Sequence, residues 1–276
     1  MMTMTDLETK EMTVQGYRIR YLDLGKGPAV VFCHGLGGTI EDNDKCFPYL
    51  IQRGYRVVAL DCPGTGMSEM PVREYTVDYL ADFTLDFIDA LGIDKFYLSG
   101  GSQGGMHVLL TAMKAPDRVL GNAIYSSSGV WPRRPLLAWF FNALPPNFVK
   151  LWFWITSFFW YPFNYPNFWN VRGEDLKFKF SRELPGYGLH VLGCLASQFA
   201  DDYREIYKTI KTPTLILWGE LDTGMPVKMG YELHEIMKEV SKFIPVPGAG
   251  HNISTMMPDF YAEQLDNFFK ALNLPR

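Results

Sequence analysis

The chain has 276 residues, 47% of them apolar, and is long enough to bury a sizeable core; one domain with an insertion, or a single large α/β unit, is the arrangement its length suggests. A net charge of −4 and a pI near 5.8, with no local Lys/Arg cluster, leave no electrostatic basis for nucleic-acid binding. Met1 to Lys10 carries early acids and no apolar segment, so no secretory leader is expected there and the expected compartment is the cytoplasm.

In chain order, Met12 to Leu24 alternates about Gly16 and predicts a β-hairpin. Ala29 to Cys33 and Arg56 to Leu60 are short β-rich runs predicted as buried strands, with a helix over Asn43 to Arg53 between them. Tyr79, Leu80, Phe83, Phe87, Ile88 and Leu91 share one face of a helix ending at Gly92. A strand over Lys95 to Gly100 leads through a glycine-crowded turn into the helix-compatible run Met106 to Lys114, and Leu120 to Tyr125 is a further strand. The alternation resumes with a strand at Thr214 to Trp218, a helix at Lys228 to Glu239, a strand at Lys242 to Val246 and a helix at Pro258 to Leu272. Strands alternating with helices at this spacing argue for a mostly parallel sheet built from β-α-β units. The four cysteines, Cys33, Cys46, Cys62 and Cys194, lack metal-ligand spacing and are expected as buried free thiols.

From about Gly129 to Lys208 the alternation lapses into aromatic and proline-rich sequence with helical patches. Six of the seven tryptophans lie between Trp131 and Trp169, and no charged residue occurs from Leu151 to Val171. That run is long enough to suggest a membrane span, but Pro162, Pro166, Asn164, Asn167 and Asn170 interrupt it and aromatics outnumber aliphatics. The expected organisation is a core of residues 1–128 and 209–276 with a helical cap, residues 129–208, inserted between two sheet strands. Its aromatic side chains have two readings: a plain hydrophobic core, or a surface that lines a pocket or makes peripheral lipid contact.

Ser102 is the centre of a Gly-x-Ser-x-Gly pattern, Gly100 to Gly104, between a strand and a helix. Such a turn strains its central residue and lifts the hydroxyl above the sheet. Serine needs a base, a group to orient that base, and donors for an oxyanion. His251, in the glycine-loosened loop after the Lys242 strand, is the candidate base. Asp222, just past the Thr214 strand, is the candidate orienting acid, with Glu220 its rival two residues earlier. The N–H of Gln103 and that of Leu36, in His34-Gly35-Leu36-Gly37-Gly38, are the candidate oxyanion donors. Gly37, Trp131, Trp139, Trp154 and His190 are placed at the substrate. His34 is expected to brace the oxyanion loop, His107 to pack in the core and His234 to face solvent.

These pieces resemble the α/β-hydrolase superfamily, in its esterase, lipase and carbon–carbon hydrolase branch. His34 to Gly37 resembles the branch's oxyanion loop, Asp61-Cys62-Pro63-Gly64-Thr65-Gly66-Met67-Ser68 its Asp-x-Pro-Gly-x-Gly-x-Ser segment, Gly100 to Gly104 the nucleophile elbow, Trp218 to Asp222 the acid turn and Gly248 to His251 the histidine loop. The match runs from about residue 12 to 272, apart from the cap. The resemblance implies an eight-stranded, mostly parallel sheet with helices on both faces, a Ser-Asp-His triad, and no metal or organic cofactor. Asp61 is commonly structural there, its carboxylate accepting from the Pro63–Gly66 turn. The expected activity is hydrolysis of a small-molecule ester with an apolar acyl or aryl group, as in a carboxylesterase or monoacylglycerol-type lipase. Three rivals remain. A carbon–carbon hydrolase usually carries a proline near Gly37 or Gly38, and none is present. A proline-type aminopeptidase fits Gly100-Gly101 and would use cap acids such as Glu174, Asp175 or Glu183. A non-catalytic binding protein would leave the whole constellation unused. Dehalogenases and epoxide hydrolases use an aspartate nucleophile, against which Ser102 argues.

Overall fold

Runs of consecutive apolar residues, rather than alternating ones, mark the centre of the sheet. In β3 (Ala29–Cys33), β5 (Phe96–Gly101) and β7 (Thr214–Gly219) every residue is buried, the signature of strands covered on both faces. Successive side chains of β3 enter opposite cores: Ala29, Val31 and Cys33 join one, Val30 and Phe32 the other. The computed structural model of the chain describes residues 8–164, 177, 179, 181, 182 and 184–272. Pro166, Asn167, Asn170, Trp169, Glu174, Asp175 and Glu183 lie outside the described residues.

The sheet has eight strands in the order β1-β2-β4-β3-β5-β6-β7-β8. The remaining strands are β1 (Lys10–Val14), β2 (Tyr17–Leu24), β4 (Arg56–Leu60), β6 (Val119–Tyr125) and β8 (Ser241–Val246). β2 runs antiparallel to both β1 and β4, and every other neighbouring pair is parallel. The hairpin about Gly16 is therefore as the alternation predicts.

One core lies under α2 (Val77–Ala90), α3 (Gln103–Lys114) and α8 (Val227–Ile236), and the other under α1 (Phe47–Gln52) and α9 (Pro258–Ala271). α2 shows how the sequence sets such a helix. The Thr76 hydroxyl caps its start by accepting from the Tyr79 N–H at 3.0 Å. Leu80, Phe83, Phe87 and Ile88 are fully buried along one face, and Gly92 follows the helix at φ +66°. Burying each of those side chains contributes about 1.5–3 kcal/mol. Two predicted helices start differently. The stretch from Asn43 is a 3₁₀ turn at Asp44–Cys46, and α1 begins only at Phe47, with Pro48 in its first turn. α3 begins at Gln103, directly after Ser102, rather than at Met106.

β3 connects toward β4 on one side, whereas β5 lies on its other side and leads toward β8. The strand order thus reverses between β3 and β5, and the crevice beyond their carboxyl ends is where open α/β sheets hold ligands. Over that end lie α4 (Pro135–Ala143), α5 (Phe148–Asn164), α6 (Gly186–Ala200) and the short α7 (Tyr203–Tyr207), all between β6 and β7. α6 is tied to the body: Ser197 Oγ accepts from the Val77 N–H at 3.1 Å, and Cys194 belongs to the α2–α3 core. α4 packs on α6 through Phe141, Leu192 and Ala196, and α5 through Val149, Tyr187 and Val191. α5 runs past Pro162 to Asn164 rather than breaking there; this late in a helix a proline removes only a terminal bond. Among the described residues no helix is long and apolar enough to cross a membrane.

Candidate active site

β5 ends in Gly100-Gly101, and Ser102 follows at φ +56°, ψ −127°, a backbone region that costs a residue with a Cβ about 1–3 kcal/mol. Packing holds it there. A Cβ on Gly100 would stand 2.7 Å from the Cys33 carbonyl oxygen, and one on Gly104 only 2.2 Å from the same oxygen. A Cβ on Gly101 would enter the Tyr125 ring at 2.0 Å. The Ser102 N–H donates to the Tyr125 carbonyl at 3.1 Å, and its own carbonyl accepts from Ser128 N–H at 2.9 Å and Gly105 N–H at 3.1 Å. The seryl backbone is thereby fixed on three sides at the start of α3, whose N-terminal amides point toward any developing negative charge.

Two loops away, the Asp222 Oδ2 accepts from His251 Nδ1 at 2.7 Å, with both side chains nearly closed to solvent. The other carboxylate oxygen accepts from the N–H groups of Gly224 at 3.0 Å and Met225 at 2.8 Å. Three donors on one carboxylate fix its position and orient the His251 ring through Nδ1. Glu220, the rival acid, is exposed. The acid and histidine loops are locked together: Leu221 N–H donates to Ala249 O at 2.9 Å, and a Cβ on Gly219 would lie 2.1 Å from Gly250 O.

The loop after β3 faces Ser102. A Cβ on Gly35 would be 3.7 Å from the Ser102 Cβ, and Gly38 N–H closes a turn on Gly35 O at 3.1 Å. His34 Nδ1–H donates to Gly35 O at 2.8 Å, while Nε2 accepts from the Cys62 N–H at 3.1 Å. These contacts make His34 the expected brace between the loops after β3 and β4. Asp61 is structural as expected, but its donors differ. Its carboxylate accepts from Ile40 N–H at 2.9 Å, Met67 N–H at 2.8 Å and the Arg20 guanidinium at 3.0 Å, rather than from the Pro63–Gly66 turn.

The residues placed at the substrate separate into two groups. Gly37, at φ +62°, meets α5 and α6: a Cβ there would stand 2.8 Å from the Tyr187 hydroxyl and 3.0 Å from Val191 Cγ2. Leu36, Met70, Phe153, Leu184 and Leu195 pack around the same Val149, Tyr187 and Val191 cluster, an apolar roof above the oxyanion-loop candidate. Trp131 stacks on Phe199 at 5.3 Å. Trp139 and Trp154 do not join that roof: they are 68% and 47% exposed, on helix faces turned away from α6. His190 does not line it either. It is fully buried beneath the loop after β4, its Nδ1–H donating to Pro63 O at 2.9 Å and its ring 5.1 Å from that of Tyr75. Burial pushes its pKa down to about 3. His107 is held the same way, at about 3, with Nε2 2.9 Å from the Leu80 carbonyl oxygen. His234 is half-buried rather than solvated, its Nδ1 2.8 Å from the Ser241 hydroxyl.

Two groups near the site escape sequence reasoning. Tyr187 donates its hydroxyl to the Gly37 carbonyl at 3.1 Å. Tyr125 sits beneath the Gly101–Ser102 turn, its hydroxyl 2.9 Å from Asn43 Oδ1, 3.0 Å from Asn252 Oδ1 and 3.0 Å from Ser254 Oγ. It thereby joins the segment after the β3 loop to the histidine loop. The double glycine 100–101 was its one signal in the sequence, because the second glycine makes room for the ring. Among the described residues no cluster of three His, Cys, Asp or Glu side chains could hold a metal ion, and Cys33, Cys46, Cys62 and Cys194 are buried free thiols.

The sequence profile described as alpha/beta hydrolase fold matches residues 28–168. A pimeloyl-[acyl-carrier protein] methyl ester esterase of Legionella pneumophila (strain Paris) is 27% identical over 260 residues, 89% of this chain and 97% of that protein. A bifunctional epoxide hydrolase 2 of Sus scrofa is 34% identical over 106 residues, 38% of this chain but only 19% of that relative's length. Among solved structures, a membrane phospholipase A described as a bacterial virulence factor superposes with a TM-score of 0.76 at 24% identity, covering 98% of this chain and 87% of that one; at that identity the likeness speaks for the fold. With the strand order, the elbow and the profile in agreement, the chain belongs to the α/β-hydrolase fold family.

Proposed function

We propose that this hydrolase is a serine esterase acting by acyl transfer, with Ser102 as nucleophile, His251 as base and Asp222 as the group that orients it. The single observation that carries the reading is the His251–Asp222 pair at 2.7 Å, closed to solvent, in the same sheet-end crevice as a serine held at φ +56°. In this scheme the Ser102 oxygen attacks the ester carbonyl as His251 Nε2 takes its proton. The Leu36 and Gln103 N–H groups receive the oxyanion, and His251 returns the proton to the leaving alcohol. Water then repeats the cycle on the acyl-enzyme. Loss of one oxyanion donor in comparable sites costs about 10²–10³ in rate. The apolar roof of Phe153, Tyr187 and Val191 over Gly37 supports apolar acyl groups, held by dispersion and desolvation. The likeness to a methyl ester esterase over most of both chains points the same way.

In this reading residues 129–208 act as a cap over the acyl group. The test is Ser102→Ala. Turnover of p-nitrophenyl esters falls by about 10⁵–10⁶, labelling by a fluorophosphonate disappears and the far-UV spectrum is unchanged. An Ser102→Ala protein that still turns over ester at the native rate would end the reading. A chain-length series refines it, with butyrate and longer chains expected to exceed acetate in kcat/KM.

A further inference from the structure

Helices α4 and α5 bury one face and leave the other bare. Ala138 and Phe141 of α4, and Val149, Trp152 and Phe153 of α5, turn toward α6. Opposite them stand Leu136, Trp139 and Phe140 on α4 and Leu151, Trp154 and Ile155 on α5, all exposed, Leu136 at 83%. The spacing of i, i+3 and i+4 makes each trio a continuous stripe. An edge-to-face contact of Phe141 with Trp152 at 5.7 Å sets the two helices side by side. Contiguous apolar stripes of this size on a folded surface mark a contact site.

Charge identifies what they contact. Between residues 129 and 164 the chain carries Arg133, Arg134 and Lys150 and no acidic side chain, although its net charge is −4. The rest of the molecule therefore carries a net charge of −7, from −4 less the +3 of this segment. An anionic lipid leaflet attracts this segment and repels the remainder, turning the stripes toward the acyl chains. Exposed Trp139 and Trp154 pair an apolar body with an N–H donor, a combination suited to headgroup depth. Among the described residues neither helix is long and apolar enough to cross a bilayer, and both suit lying in its surface.

We propose that the α4–α5 face is a docking surface for an anionic lipid bilayer. It stands independently of the esterase reading, and the two are separable by experiment. The probes are unilamellar vesicles of phosphatidylcholine with phosphatidylglycerol, and of phosphatidylcholine alone. The protein co-sediments with the anionic vesicles and releases as salt is raised, each basic side chain strengthening partitioning about fivefold. Brominated lipid quenches its tryptophan emission in the anionic vesicles. Leu136→Glu/Ile155→Glu lowers vesicle binding by about tenfold or more, with an unchanged circular dichroism spectrum showing that it folds. Arg134→Gln lowers the preference for phosphatidylglycerol and leaves the apolar contact in place. A wild-type protein that stays in the supernatant with both vesicles overturns the proposal. So does a double variant that binds as wild type does, or a dimer by light scattering that the double variant dissolves without any vesicle binding. Vesicle binding with no fluorophosphonate labelling of Ser102 would keep the surface and discard the esterase. Labelling without vesicle binding would do the reverse.

Discussion

The strand ends and the α4–α6 helices solve opposite problems with opposite chemistry. At the strand ends, polar groups are held from several sides: Asp222 accepts three hydrogen bonds, and the Ser102 carbonyl accepts two. Between the helices, α4 and α5 meet α6 through clusters of Phe, Tyr, Val and Leu side chains. Directional bonds fix atoms to within fractions of an ångström, as proton transfer requires. Apolar contacts tolerate repacking, which suits the acyl wall proposed for this region.

Breaking the rigid region has the larger effects. Asp222→Asn keeps the shape but no longer holds the proton on His251 Nδ1, and kcat is expected to fall by about 10⁴ with KM little changed. A loss under tenfold would show that another group orients the histidine. Tyr125→Phe removes the hydroxyl shared by Asn43, Asn252 and Ser254. It is expected to cost about 1–3 kcal/mol in a urea titration, and kcat is expected to fall with it as the histidine loop loosens. At the junction of the two regions, Tyr187→Phe deletes one bond to Gly37. A single neutral hydrogen bond of about 0.5–1.5 kcal/mol predicts a two- to tenfold loss of kcat at constant KM. A change in KM alone would assign Tyr187 to the acyl wall instead. The smallest effect at neutral pH is acid sensitivity. His107 and His190 are neutral when folded, with pKa about 3, against an ordinary value of 6.5. Below 6.5 the unfolded chain binds protons that the native state refuses, so stability present above that pH is lost progressively toward pH 3. His190→Gln is expected to flatten the slope of unfolding free energy between these limits.

The sheet was readable because β3, β5 and β7 are buried on both faces and so carry the apolar runs Ala29–Cys33, Phe96–Leu98 and Leu215–Trp218. The elbow and the acid and histidine loops were readable because close backbone approach demands glycine at fixed offsets, as at Gly104 and Gly219. The positions of Trp139, Trp154 and His190 were not. α5 is apolar on both faces, so periodicity gives a helix without saying whether Trp152 or Trp154 turns inward. His190 depends on a contact with Pro63, and Tyr125 on partners at 43 and 252. No local pattern encodes such distances along the chain.

The Tyr187 hydroxyl on the Gly37 carbonyl gives α6 a hand on the loop that faces the seryl oxygen. In the proposed esterase reading, a displacement of α6 that broke this bond would loosen that loop, tying the position of the helix to the readiness of the site. A chimera receiving residues 129–208 from a relative would keep that loop tied in the same way only if the graft brought a phenol to the same spot.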